Sequence, residues 1–279
     1  MAVGNRVFPT RINDYLTECT ILWYSRTMQC PRAVLFDLDD TLAESFHAPA
    51  PETLEGLKKL LGHIPIAIMT GAGFPRMQEQ FLSAIENAAG IERFYLFPTS
   101  TSECYVYREG SWQQLYSIKL THEERTRIKQ IIEKVVAGSE ILSAVRGFGE
   151  RMIDHEAQVA FTLVGVDAPK DVKDTWDIDG SKRQFLKSEL QRATSEFEVL
   201  LGGRTTVDIT KKGVNKFHGV TWLSKELGIP PQEMLYVGDA FFEGGNDAVV
   251  IPTGIQTRSV SGPAETPQVI NELLAACKA

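Results

Sequence analysis

Ala33-Val-Leu-Phe36, followed at once by Asp37-Leu38-Asp39-Asp40-Thr41, decides how this chain is read. Four apolar residues without polar alternation describe a strand buried on both faces, and such strands belong to parallel sheets covered by helices. The abrupt change to carboxylates means that the strand empties into a polar loop. Moving outward, Leu54 to Leu61, preceded by Pro51 and Glu52 and closed by Gly62, carries the start and stop signals of a helix. Pro65-Ile-Ala-Ile-Met69 reads as a second buried strand, ending at Thr70-Gly71-Ala72-Gly73. Pro75 to Ala89 reads as a helix and Phe94 to Phe97 as a third strand. This alternation predicts an α/β fold, a Rossmann-like doubly wound parallel sheet with right-handed crossovers and ligands at the carboxyl ends of its strands.

The rhythm changes after about residue 100. Tyr105-Val-Tyr107, Arg108-Glu-Gly110 and Trp112 to Tyr116 read as a hairpin with Gly in its turn. A helix at about 122–137, strand-like alternation at 151–166, a helix at about 180–194 and a strand at 196–201 describe an α+β unit. The α/β rhythm resumes after Gly202-Gly203, with Phe217 to Leu227 as helix and Met234 to Val237 as buried strand before Gly238-Asp239. The expected organisation is a helical extension over 1–30, core over 31–117, an inserted α+β cap over 118–205, and core again over 206–279. In the extension, Ile12, Tyr15, Leu16, Cys19, Leu22 and Trp23 follow helical spacing.

Composition excludes several classes. The 279 residues are 43% hydrophobic and 23% charged, with 29 Lys plus Arg against 36 Asp plus Glu for a net charge of −7. That is a folded chain with a core, not a disordered or fibrous one. Its acidic balance argues against nucleic-acid and anionic-membrane partners, and no apolar run reaches the roughly 20 residues that cross a bilayer. Cys19, Cys30, Cys104 and Cys277 are isolated, which reads against a disulfide framework or zinc site and for a reducing, cytoplasmic compartment.

Asp37 and Asp39, two residues apart at the end of a buried strand, are like charges at close range that repel unless a cation intervenes, and an oxygen-rich site of this kind suits Mg²⁺. The Thr70 hydroxyl and the Gly-rich amides after it can hold phosphate oxygens. Lys216, after Gly213-Val214-Asn215, opens a helix at the end where the dipole favours an anion. Gly238-Asp239 and Gly244-Gly245-Asn246-Asp247 add two further acids after a buried strand. Singly these are turns, caps or solvated charges; as an ordered set they describe a phosphate-handling site.

The segment Val34 to Leu42 resembles the first motif of the haloacid dehalogenase superfamily. Ile68-Met-Thr70-Gly71 is similar to its second motif, Lys216 to its third, and Gly238-Asp239 with Asn246-Asp247 to its fourth. An α+β insertion between the second and third motifs resembles the Cof and phosphomannomutase types of cap. The motif pattern is most similar to eukaryotic-type phosphomannomutase. The resemblance implies that Asp37 attacks phosphorus to give an aspartyl phosphate, while Asp39 serves as acid and then base. It implies Mg²⁺ held by Asp37, the main-chain oxygen of Asp39, and Asp239, with Asp247 orienting a water on the ion or Lys216. Thr70, Gly71, Lys216 and Asn246 would bind phosphate, and Thr206 and Asp208 match the polar pair that holds the sugar in that family.

The departures are equally specific. Where phosphomannomutases place arginines for a second phosphate, this chain has Phe46 and Gly165-Val166, although Arg146, Arg151, Arg183 and Arg192 lie in the cap segment. The expected activity is therefore Mg²⁺-dependent hydrolysis of a small phosphorylated metabolite, a sugar phosphate or similar phosphomonoester, with a phosphosugar mutase as the alternative. A receiver-type signalling domain also groups acids, Thr and Lys around Mg²⁺, but there the marks are contiguous, and the cap here separates Thr70 from Lys216. A homodimer is compatible with this reading.

Overall fold

The structure, a computed structural model, describes residues 29–278, so the expected N-terminal helix lies outside the described residues. Among the described residues the main sheet has seven strands in the order β11-β10-β1-β2-β3-β4-β5. β1 (Ala33–Asp37) lies parallel between β2 (Ile66–Met69) and β10 (Met234–Gly238). β3 (Phe94–Phe97) and β11 (Gln256–Ser259) extend the parallel part on either side. β4 (Glu103–Arg108) and β5 (Ser111–Ser117) add an antiparallel hairpin, turned through Glu109 and Gly110 at positive φ. From β1 the chain runs to β2 and β3 on one side and later returns to β10 and β11 on the other. The carboxyl end of β1 is thus the switch point where such sheets open a crevice.

The absence of polar alternation in β1 has its cause in the layers. Val34 and Phe36 join one apolar cluster with α1 (Pro51–Leu61) and α7 (Thr266–Lys278), while Ala33 and Leu35 join another with Val220 and Leu223 of α6 (Lys216–Leu227). The helix expected over 75–89 is broken: α2 (Phe74–Met77) passes into a π-helical turn at Gln78–Leu82 and a last turn at Ser83–Ile85.

The smaller sheet, order β6-β7-β9-β8, comprises β6 (Met152–Asp154), β7 (Val159–Thr162), β8 (Phe197–Leu201) and β9 (Thr206–Lys211). It is covered by α3 (His122–Ala137) and, after the short α4 (Lys170–Thr175), by α5 (Ser181–Ala193); Ile128, Ile132, Leu186 and Leu190 of α3 and α5 pack on Val159, Phe161, Val207 and Ile209. This corrects the expected boundary at residue 206. β9 pairs antiparallel with both β7 and β8, so the cap sheet continues past that point. Val207 and Ile209 face the cap helices, and the intervening Asp208 takes the opposite face, toward the core.

A second correction concerns the cysteines: Cys30 and Cys277 form a disulfide, with Cα atoms 4.8 Å apart across 247 residues of sequence. Spacing along the chain is silent on this pairing because it is the fold that brings the entry to β1 beside the last turn of α7. The expectation of a reducing compartment, which rested on isolated cysteines, loses that support. Among the described residues Cys104 is free, and it is buried. Among the described residues no helix is long and apolar enough to cross a membrane.

Candidate active site

The carboxyl ends of β1, β2 and β10 deliver Asp37, Thr70 and Asp239 to one crevice, and the cap closes over it to leave a cavity of about 430 Å³. Asp37, Asp39, Gly71, Lys216, Asp239 and Asn246 line it, together with Asp208 from the cap. Thr70 is buried and Thr206 is not part of the lining.

Lys216 is the first residue of α6, whose preceding residue Asn215 caps Phe217 N and His218 N through its side chain. The buried Lys216 Nζ donates to Asp37 Oδ1 at 2.6 Å and to Asp247 Oδ1 at 2.7 Å. Asp247 is further fixed by the Tyr236 hydroxyl at 2.7 Å and by Ala240 N at 3.0 Å. Gly238 makes room for it, since a Cβ there would stand 2.3 Å from Asp247 Oδ2.

Asp37, Asp239 and Asp247 each place a carboxylate oxygen within 4.8 Å of the others. With all three carboxylates ionised, the one ammonium would leave two negative charges uncompensated. Burial holds Asp37 well above the ordinary carboxyl range, Lys216 pulling against it and Asp247 and Asp239 adding to it. Burial and then Asp247 push Asp239 up to about 6. Asp239 also accepts from Thr41 Oγ1 at 3.1 Å. A divalent cation relieves this accumulation, and the buried Asn246 Oδ1, which has no hydrogen-bond partner among the described residues, leaves an acceptor for a ligand-borne donor. The residues therefore fit a metal. The Asp39 carboxylate stands apart from this group, accepting from Thr70 Oγ1 and from Arg76 Nη2, each at 3.4 Å.

Two features of the site have no signature in the sequence. Arg76, on the first turn of α2, reaches Asp39 and lays its guanidinium 4.7 Å from the centroid of the Phe46 ring. The other is the turn after β3, where Thr99, Ser100 and Thr101 all have positive φ. Each such non-glycine residue costs about 1–3 kcal/mol and persists only when its surroundings hold it. Here Thr99 N donates to Ala72 O at 2.8 Å, Ser100 N to Thr70 O at 2.9 Å, and Thr101 Oγ1 to Asn215 O at 2.6 Å. The turn thus ties the Thr70 loop to the residue that caps the Lys216 helix. No glycine or Asn-Gly pair announces it.

Ser100 Oγ also donates to Asp208 Oδ2 at 3.0 Å across the boundary between core and cap, and accepts from Gln158 Nε2 at 3.1 Å. Gly71 is required by the same contact, because a Cβ there would lie 2.6 Å from Asp208 Oδ2. Burial raises the Asp208 carboxyl to about 7, the Ser100 hydrogen bond opposing and nearby Asp39 adding to the rise. A carboxyl whose pKa is raised by folding takes up a proton in the native state, so its stability contribution is present at low pH and is lost as pH rises toward 7. Relative to Asp208→Asn, the wild type should lose on the order of 3 kcal/mol between pH 5 and pH 8. Thermal melts of both proteins across that window check this; parallel curves would refute it.

Of the four cap arginines, only Arg183 lines the cavity, its Nε on Asp177 at 2.8 Å and Nη1 on Gly203 O at 2.7 Å. Arg146 sits over Phe148, Arg151 donates to Val145 O, and Arg192 pairs with Glu189. Arg204 adds a cation to the lining, held by Asp40 at 3.0 and 3.2 Å.

An α/β core with acids at its switch point and an α+β cap over them defines a class of hydrolase. A family model for haloacid dehalogenase-like hydrolases matches residues 34–247, and the chain belongs to that family. It is 22% identical over 246 residues to a phosphomannomutase of Spinacia oleracea, covering 86% of this chain and 94% of that one. It is 24% identical over 245 residues to phosphomannomutase 2 of Dictyostelium discoideum, covering 85% and 94%. An IMP-bound, N-terminally truncated IMP-nucleotidase of Plasmodium falciparum shares the fold, with a TM-score of 0.65 at 17% identity over 88% of this chain and 68% of that one.

Proposed function

We propose that this chain is a Mg²⁺-dependent phosphatase that hydrolyses a small phosphomonoester, such as a sugar phosphate, through an aspartyl phosphate on Asp37. The observation that carries this reading is the buried Lys216 ammonium bridging Asp37 and Asp247 at the floor of a capped cavity. Asp37 attacks phosphorus with a carboxylate oxygen, the bond to the alcohol oxygen breaks, and Asp39 supplies that oxygen with a proton. Asp39 then takes a proton from the water that attacks the same phosphorus, which frees Asp37 and releases inorganic phosphate. Lys216 offsets charge on the phosphoryl oxygens and pulls against the burial that raises the Asp37 carboxyl. Asp37, the main-chain oxygen of Asp39, and Asp239 would hold the cation, with Asp247 set beside them. When bound, Mg²⁺ neutralises further charge on the transferring group. The cap excludes water from the cavity until the ester is cleaved.

A mutase reading is favoured by the two relatives named phosphomannomutase and by Arg183 and Arg204 in the lining. Against it stands Phe46 where the family pattern calls for arginine. Phosphate release from a panel of phosphomonoesters, with Mg²⁺ and with chelator, tests the proposal. Release should require Mg²⁺, and activity that survives chelation would sink the mechanism. Conversion of mannose 1-phosphate to the 6-phosphate in the presence of a bisphosphate activator would replace hydrolysis with transfer.

A further inference from the structure

We infer that the alcohol released from the substrate carries a flat apolar ring, seated at the mouth of the cavity between Ile178 and Phe242. This rests on the phosphatase reading and deepens it. The floor of the cavity is charged throughout, with Asp37, Asp39, Lys216 and Asp239. The exposed part of the lining mixes polar residues, Asp179, Ser181 and Glu243, with two large apolar side chains. Ile178 is 82% exposed and Phe242 64% exposed, and both line this one cavity.

They come from two sides. Ile178 lies in the cap, just before α5, and Phe242 lies in the core loop after β10. Neither is needed to hold its own loop. On the core side Phe241 supplies the anchoring aromatic, packed against Tyr236 with ring centroids 6.0 Å apart, and Gly245 N closes the turn on Phe242 O at 2.9 Å. On the cap side the buried Asp177 fixes the loop by accepting from Lys182 N at 2.8 Å and Arg183 N at 3.1 Å. Both apolar side chains therefore stand in water on loops that other residues have already pinned, an arrangement that costs hydration and contributes nothing to the fold. Apolar groups held in place at a cavity mouth are how binding sites are prepared for an apolar ligand surface.

An aromatic ring on one side and a branched aliphatic on the other match a ligand with two flat apolar faces. A hexose phosphate offers hydroxyls on most of its surface and meets that requirement poorly. A planar ring meets it, as a nucleobase or an aryl group. The lining also includes Arg183, Gln184 and Asn246, polar groups that suit a hydroxylated linker such as ribose.

The test compares kcat/KM for a nucleoside 5′-monophosphate, phenyl phosphate and a hexose 6-phosphate in the wild type, Phe242→Ala, Phe242→Trp and Ile178→Ser. The wild type should prefer at least one ring-bearing ester over the hexose phosphate. Phe242→Ala should lower the ratio of ring ester to hexose phosphate by about tenfold, chiefly through KM, and Phe242→Trp should restore it. Ile178→Ser should move the ratio in the same direction as Phe242→Ala. Whichever ring ester is preferred distinguishes a nucleoside from a simple aryl alcohol. Preference for the hexose phosphate, or an equal loss on every ester, would overturn the inference, the latter by making the pair a gate instead of a seat. If no ester is cleaved, the phosphatase reading falls by itself. Calorimetric binding of the nucleoside monophosphate to wild type and Phe242→Ala then still decides the seat, an unchanged Kd overturning it.

Discussion

Asp37→Asn should reduce phosphate release by at least about 10⁴-fold, the scale on which removing a covalent nucleophile acts. The substitution keeps the shape of the side chain and alters only its charge and nucleophilicity. Lys216 keeps its second carboxylate, Asp247 at 2.7 Å, so the ammonium is not stranded. Burial together with two neighbouring acids already holds the Asp37 carboxyl above its ordinary range, so a neutral amide at this position lowers repulsion in the cluster. In the absence of Mg²⁺ the variant should therefore melt no lower than the wild type at neutral pH. Inactivity with an intact melt is the expected pair of results. A variant that retains a tenth or more of the wild-type rate would place the nucleophile elsewhere, with Asp239 the next carboxylate in the same cavity.

Asp37 is conspicuous in the amino-acid sequence for a physical reason, and the features that the sequence hides are hidden for physical reasons too. β1, β2 and β10 are apolar on both faces because helices cover both faces of the sheet, and four consecutive apolar residues record this directly. The polar residues that end these strands face a switch point, so the core of the site is legible from the same runs. β9 is different. Thr206-Val-Asp-Ile-Thr alternates as any two-sided strand does, and alternation does not say which sheet will pair with it. Its register with β7 and β8 is a tertiary fact, and so is the Cys30–Cys277 bridge. The left-handed turn at Thr99–Thr101 is hidden for a local reason. Thr and Ser lack the conformational freedom that makes glycine a readable signal, and the turn is held by contacts to Ala72, Thr70 and Asn215. Arg76 is invisible because an arginine early in a helix is usually a surface charge; only the approach of α2 to the loop after β1 brings it to Asp39.

Lys216→Met should destabilise the protein as severely as it disables it. Burial works against the ammonium, yet Asp247 and Asp37 hold its pKa above the ordinary lysine value, so the charge belongs to the folded state. Removing one member of a buried ion pair leaves the partner carboxylates uncompensated, a loss of about 3–5 kcal/mol. For a chain of this size that corresponds to a fall in Tm on the order of 10 °C. The pH dependence identifies the cause. Without Lys216 the folded-state pKa of Asp37 rises further from its unfolded value, so the native state binds a proton that the unfolded state releases. The deficit is then largest above the folded-state pKa and shrinks as pH falls toward the unfolded-state value near 4. Mg²⁺ should narrow the deficit at neutral pH, because a cation among Asp37, Asp239 and Asp247 supplies part of the charge that the lysine took away. Melts at pH 5 and pH 8, each with and without Mg²⁺, separate this from simple loss of packing, which neither proton nor cation would repair. A deficit that is the same under all four conditions would mean that Lys216 holds the core by its aliphatic stem, and that its charge contributes little to the fold.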